Sequence, residues 1–250
     1  MSEYSAKDII VTIPVYKETI NKSEELSLRQ VCKILGAYDI TIVCPSELNI
    51  DEYKKIISEC GTEPKFENFD KLFFDGIEGY NKLMLSPQFY GRFANYKYLL
   101  IYQLDCYVFK DELLLWANKD YDYVGAPWIF NDYRTWSFSQ KVRYSAKRTI
   151  ARYTNAPNNI TTTYYKVGNG GFSLRKIDTC LKILDKYKNS ERLKKYEQED
   201  IAVLNEDVFW SREVNRYFPI LKIPNYKTGL KFAFDVNPKL CYDLNGKNLP

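Results

Sequence analysis

Histidine is absent from all 250 residues. That absence excludes a Ser-His-Asp triad, a Cys-His dyad and histidine-ligated zinc within this chain. Proton transfer must fall to carboxylates, Tyr, Lys or Cys. Long hydrophobic runs are also missing: none approaches the roughly 20 residues needed to cross a bilayer, and neither end carries a charged segment followed by an apolar one. The expectation is a cytoplasmic chain, soluble or peripheral to the inner face of the membrane. The six cysteines (Cys32, Cys44, Cys60, Cys106, Cys180, Cys241) make no CxxC pair, so reduced core thiols are expected. The sequons at Asn21 and Asn159 carry no weight without a secretory signal. One long stretch lacks acids. From Tyr133 to Ile177 there are nine Lys or Arg and no Asp or Glu, which leaves the rest of a chain of net charge +4 at about −5. Such a stretch suits a phosphate-bearing ligand, an acidic acceptor, an anionic membrane surface, or a merely solvated basic helix.

What is present is enough apolar material, 45% of the residues, for a large core. Short apolar runs alternate with helical patterns in the first half, the signature of βαβ units and a mostly parallel sheet. The runs at 7–15, 38–45, 64–69, 97–104 and 121–128 read as strands. Segments 23–36, 49–61 and 111–119 read as helices, and 79–85 begins one that Pro87 interrupts. The continuous apolar run 97–104 predicts a central strand buried on both faces. Residues 131–165 read as a long loop containing one helix. With no repeat or linker, the chain reads as one α/β domain with two functional halves, 1–110 and 111–250.

Four places could carry chemistry. Asp105 falls just past the carboxyl end of the central strand, where open α/β sheets bind ligands; it could hold a divalent cation, cap the following helix or pair with a Lys. "VGNGGFSLRK" (167–176) has three glycines in four residues, which implies close backbone approach, positive φ or a hairpin turn. It fits neither the Walker nor the dinucleotide pattern. Glu206 and Asp207 in "NEDVFWS" sit where acids stabilise a helix N-terminus, or where one could act as general base. Tyr16, after Pro14 at the end of the first strand, could stack on a nucleobase.

In their order along the chain, "IPVY" (13–16), "GYNKL" (79–83), "LIYQLD" (100–105), "VGAPW" (124–128), "GNGGFS" (168–173) and "EDVF" (206–209) resemble a glycosyltransferase-like family with LIYQxD and GNGGFSLR signatures. They are similar, more remotely, to the β-1,3-galactosyltransferase and fringe group. The resemblance implies a GT-A, Rossmann-like fold with a donor half (1–110) and an acceptor half (111–250). It implies transfer of a hexose from a nucleotide sugar, a UDP-sugar in the first instance, to a hydroxyl of a glycan or lipid-linked glycan, with inversion. Pro14, Tyr16, Asn81, Lys82, Gln103 and Asp105 would bind the donor, and Asp105 would hold Mn²⁺ or Mg²⁺. Trp128, Asn169, Gly170 and Gly171 would meet the sugar and acceptor. Asp207, with Glu206 beside it, would be the base, and segment 133–166 would cover the active site. Gln103 stands where such motifs often have their first acid. The resemblance also leads to an expected continuation past Pro250 as Phe-Gly-Cys-His-Ala-Trp, whose histidine would add a metal ligand. The alternative on the same fold is a non-catalytic carbohydrate- or nucleotide-binding domain. Nucleic acid is not an expected partner, although Tyr133, Trp136, Phe138, Tyr144 and Tyr153 interleave the basic stretch.

Overall fold

Strand β1 (Ile9–Pro14) is apolar but for Thr12, whose buried hydroxyl donates to the Leu100 carbonyl, and lies in the middle of the sheet, parallel to β2 (Asp39–Pro45) on one side and β4 (Tyr98–Tyr102) on the other. β3 (Lys65–Phe69) extends the sheet beyond β2. On the other flank β6 (Phe172–Lys176) pairs antiparallel with both β4 and β5 (Tyr123–Gly125), giving the order β3-β2-β1-β4-β6-β5. The structure, a computed structural model, describes residues 3–153, 163–198 and 205–250. Residues 154–162, with the Asn159 sequon and part of the basic segment, lie outside the described residues, as does the side chain of Tyr153.

All five residues of β4 are buried, as a strand covered on both faces requires. Tyr98, Leu100 and Tyr102 face one core, and Leu99 and Ile101 face the other. The first core is closed by α1 (Lys22–Leu35), α2 (Asp51–Glu59) and α5 (Leu113–Asn118), through residues such as Leu28, Ile57 and Trp116. The second takes α3 (Gly76–Met84), α4 (Pro87–Arg92) and α7 (Ile177–Tyr187), through Leu83, Phe89 and Leu184. The expected single α/β domain with a mostly parallel sheet flanked by helices is the observed architecture.

Local chemistry sets the helix ends. Asn21 accepts from the Ser23 and Glu24 amides while the Glu24 carboxylate accepts from the Asn21 amide, a reciprocal cap on α1. Gly61, at φ +74°, ends α2. Pro87 does not interrupt a helix running from 79. It starts α4, with Ser86 Oγ accepting from the Gln88 amide, because proline's missing N–H costs nothing in a first turn. Three further helices follow that the apolar pattern did not reveal, α8 (Glu191–Gln198), α10 (Tyr226–Gly229) and α11 (Pro238–Leu244). Between α8 and α10 a turn α9 (Glu206–Val208) starts at the acids Glu206 and Asp207, where the sequence places a helix N-terminus, and widens into a π-turn over Phe209–Glu213. The long basic loop does contain one helix, α6 (Phe138–Tyr153). All six cysteines are free thiols. Among the described residues no helix is long and apolar enough to cross a membrane.

Candidate active site

The chain runs from β1 outward to β2 and β3, then returns to place β4 on the opposite side of β1. The carboxyl ends of β1 and β4 therefore diverge, the topological switch at which doubly wound sheets open a crevice. A cavity of about 430 Å³ lies there, lined by Pro14 and Tyr16 from the end of β1, Gln103 and Asp105 from the end of β4, and the rings of Tyr53, Phe74 and Tyr80. That is ample for a nucleoside. Tyr16 is 66% exposed, with its ring free to be covered.

A second cavity of about 420 Å³ shares Gln103 and Asp105 with the first and continues past Asn169, Gly171, Phe232 and Asp235. The glycine loop reaches this point because β6 runs antiparallel to β4. Phe172 pairs with Tyr102, so the Gln103 amide donates to the Gly171 carbonyl at 2.8 Å. Asn169 shapes the loop: its Oδ1 accepts from the Gly171 amide at 3.1 Å, and its Nδ2 donates to Asp235 Oδ2 at 3.1 Å. The glycines serve close approach rather than positive φ. A Cβ on Gly171 would run into Gln103 Oε1, and one on Gly170 into Glu206 Oε1.

The two cavities thus gather Pro14, Tyr16, Gln103, Asp105, Asn169 and Gly171. The other expected site residues are elsewhere. Asn81 is buried, with Oδ1 accepting from the Glu206 amide at 3.0 Å, and Lys82 pairs with Glu78 at 2.6 Å. Trp128 is buried, and a Cβ on Gly168 would strike its ring. Glu206 is engaged by Arg175. Nη1 donates to Oε2 at 2.8 Å and Nη2 to Oε1 at 2.9 Å, with the arginine fully buried and the glutamate 3% exposed. Both carboxylate oxygens are taken, so Glu206 is a structural anion.

Asp207 is different. Burial, reinforced by the neighbouring Glu206 charge, pushes its carboxyl up to about 8, against the pull of the Val208 and Gly170 amides. Its Oδ1 is buried with no hydrogen-bond partner among the described residues, as is the Tyr80 hydroxyl beside Gln103. Asp207 lies one residue behind the cavity wall, against Gly170, which sits between the lining residues Asn169 and Gly171.

Sequence reasoning missed Asp235 and Tyr80. Nothing in "AFDVNP" marks an acid that the fold brings to Asp105's cavity, and Tyr80 was one Tyr among 22. Burial and the nearby Asp105 charge raise the Asp235 carboxyl above its ordinary range, with the Asn169 hydrogen bond opposing them. Cys106, adjacent to Asp105, has its thiol pushed up by burial, which removes it as a ready nucleophile.

Cations are scarce in both cavities. The lining lysines are Lys17, paired with Glu24 at 2.7 Å, and Lys110, paired with Glu112 at 2.9 Å. A divalent ion fits the donor set of Asp105 and Asp235. These are hard oxygens, and no third His, Cys, Asp or Glu joins them among the described residues, so phosphate oxygens and water would complete the shell, as Mg²⁺ prefers.

Glu206→Gln is expected to destabilise the fold by about 3–5 kcal/mol in chemical denaturation, because it leaves Arg175 buried and uncompensated. Arg175→Met with Glu206→Leu should recover part of that loss. Between pH about 4 and 8 folded Asp207 holds a proton that the unfolded chain releases, so its contribution to stability declines as pH rises through that window. Unfolding of Asp207→Asn, followed across the same range, should show a flatter pH dependence than the native chain.

Among solved structures the likenesses are distant. Core-mannan synthase A from Aspergillus fumigatus, in an Mn/GDP form, is 15% identical, with 89% of this chain and 74% of that chain covered and a TM-score of 0.45. The mannosyltransferase Ktr4p from S. cerevisiae is 14% identical over 82% of this chain and 62% of that chain, with a TM-score of 0.42. A cytidylyltransferase from Leptospira borgpetersenii serovar Hardjo-bovis is 11% identical over 87% and 74%, with a TM-score of 0.41. Likenesses this distant carry no argument about activity. No curated protein matches the sequence. The family described as "protein of unknown function (DUF5672)" matches residues 63–250, three quarters of the chain. The chain belongs to the DUF5672 family.

Proposed function

We propose that this protein is a glycosyltransferase that moves a hexose from a nucleotide sugar, taken first as a UDP-sugar, to a hydroxyl of a glycan or lipid-linked glycan acceptor. The observation that carries the reading is the pair of cavities at the β1/β4 switch point joined at Gln103 and Asp105. One is walled by aromatic rings and supplied wholly by residues before 110. The other is supplied largely by residues after it. In this reading the nucleoside stacks on Tyr16, the diphosphate lies over Asp105, and the sugar points towards Asn169 and Gly171.

Asp105 and Asp235 would hold Mn²⁺ or Mg²⁺, which when bound offsets the charge of the departing nucleoside diphosphate. With Lys17 and Lys110 committed to glutamates, that counter-charge has no other source among the lining residues. Asn169 positions Asp235, and Gln103 fixes the glycine loop through its backbone. Asp207 is assigned the acceptor's proton. A carboxyl tuned near neutral pH with an unpartnered oxygen suits proton exchange. The acceptor oxygen attacks the anomeric carbon from the face opposite the phosphate, the bond to the phosphate oxygen breaks, and Asp207 takes the hydroxyl proton. Glu206 and Arg175 position Asp207 and do not touch substrate.

Calorimetric titration of UDP, GDP and CMP with and without Mn²⁺ is expected to show metal-dependent binding of one of them. Asp105→Asn and Asp235→Asn should each weaken it at least tenfold. Asp207→Asn should keep nucleotide binding and lose transfer. Absence of binding for all three nucleotides in either condition would end the transferase reading; binding without donor turnover would favour the non-catalytic one.

A further inference from the structure

The nine basic residues between Tyr133 and Ile177 do not form one field. Arg175 is buried on Glu206, Lys176 is paired with Asp120, and Arg134 is paired with Asp132 at 2.7 Å. What remains is concentrated on α6, where Lys141, Arg143, Lys147 and Arg148 stand on a helix without a single acid. Tyr144 fixes one side of this helix to the protein. Its ring meets Trp136 at 5.3 Å and Tyr164 at 6.4 Å, and its hydroxyl donates to the Tyr164 carbonyl at 3.0 Å.

At about 100° per residue, Phe138, Val142, Ala146 and Ile150 follow one another at four-residue steps along the side opposite Tyr144. Phe138 is 83% exposed, Val142 50% and Ile150 61%. Arg143 and Lys147 border this stripe on one edge and Lys141, over the Tyr133 ring at 5.2 Å, on the other, while Arg148 falls on the Tyr144 side and interacts with the Tyr144 hydroxyl. An exposed apolar stripe bordered on both edges by cations has the charge and shape complement of an anionic bilayer surface, where apolar side chains enter the acyl boundary and basic ones reach phosphates. Single-stranded nucleic acid would ask for several exposed stacking rings in succession, and here Tyr133, Trp136 and Tyr144 are packed on one another, which leaves Phe138 as the exposed ring of the stripe.

We propose that α6 docks the protein on an anionic lipid surface, with Phe138 and Val142 inserted and Arg143, Lys147 and Lys141 on the headgroups. The proposal stands independently of the transferase reading, since it rests on α6 alone. Cosedimentation with vesicles tests it, using phosphatidylcholine alone and phosphatidylcholine with phosphatidylserine at roughly 7:3, each basic side chain being worth roughly fivefold in partitioning. The full chain should bind only the anionic vesicles and release as salt is raised. Arg143→Glu with Lys147→Glu should abolish binding, and Phe138→Ser with Val142→Ser should weaken it at least tenfold. Both pairs are exposed, so both variants should melt with the native chain. The proposal fails if anionic vesicles are not bound, if neutral vesicles bind equally, or if the Phe138→Ser/Val142→Ser variant binds undiminished. It fails equally if a single-stranded oligonucleotide is retained and the vesicles are not.

Discussion

A guanidinium placed in the core must spend most of its five donors or it costs more than it contributes. Arg175 spends four. Nε donates to Ser173 Oγ at 3.0 Å, Nη1 to the Tyr90 hydroxyl and Glu206, and Nη2 to Glu206, while the guanidinium lies over the Tyr123 ring at 5.1 Å. One side chain on β6 thereby ties β5, α4 and α9 together, and Glu206 carries the connection to Asn81 of α3 through its amide. Burial opposes the charge on Arg175, but the anions and hydroxyls around it hold its proton more firmly than water would. The same pair dictates Gly170, because a side chain there would occupy the space of the Glu206 carboxylate. It also places a fixed negative charge beside Asp207. Burial is the largest cause of the raised Asp207 carboxyl, and this structural ion pair acts on it both ways, Glu206 adding to the rise and Arg175 opposing it.

Asp105 looks expensive in the sequence because it follows five apolar residues. The structure resolves the difficulty by ending β4 at Tyr102, so that Asp105 falls in the exposed turn beyond the sheet. A carboxylate in that position keeps its hydration until a ligand arrives and carries no burial penalty in the free protein. The strand itself is buried on both faces, which makes the turn after it a fixed platform.

The strands were legible because burial on two faces leaves an apolar run, and β1, β2 and β4 appear within a few residues of where those runs lie; β3, an edge strand with Phe69 as its one buried residue, also falls where it was expected. Helices α8, α10 and α11 were not. Their short lengths, and the charged sequence of α8 in particular, give little periodicity to read. At the site, residues next to strand ends could be placed from topology alone, which is why Pro14, Tyr16, Gln103 and Asp105 converge as expected. Contacts between distant segments could not. Arg175 counted as one of nine surface cations although the fold buries it on an acid 31 residues away. Asn81 read as a donor-binding residue because its motif contains an Asn, whereas its oxygen holds the Glu206 amide. Asp235 went unnoticed because only the antiparallel return of β6, and the Asn169 turn before it, bring the glycine loop against that acid.

The net charge of +4 conceals a sorting of charge by role. The cavities are lined by carboxylates whose neighbouring lysines are already neutralised, while α6 carries Lys141, Arg143, Lys147 and Arg148 with no acid among them. In the proposed reaction a nucleoside diphosphate entering the cleft would meet charge of its own sign, and a cation held by Asp105 and Asp235 would offset it. The two raised carboxyls have separate origins. Asp235 is raised by its partly buried position and by Asp105, so an ion between them would return it to its anionic form. Asp207 is raised by burial beside Glu206, whose charge Arg175 fixes in place and no ligand in the cleft needs to alter. Asp235 is set to respond to the ion, whereas Asp207, in the proposed reaction, must have lost its own proton before it can take the acceptor's, so its raised carboxyl sets the fraction of molecules able to act near neutral pH.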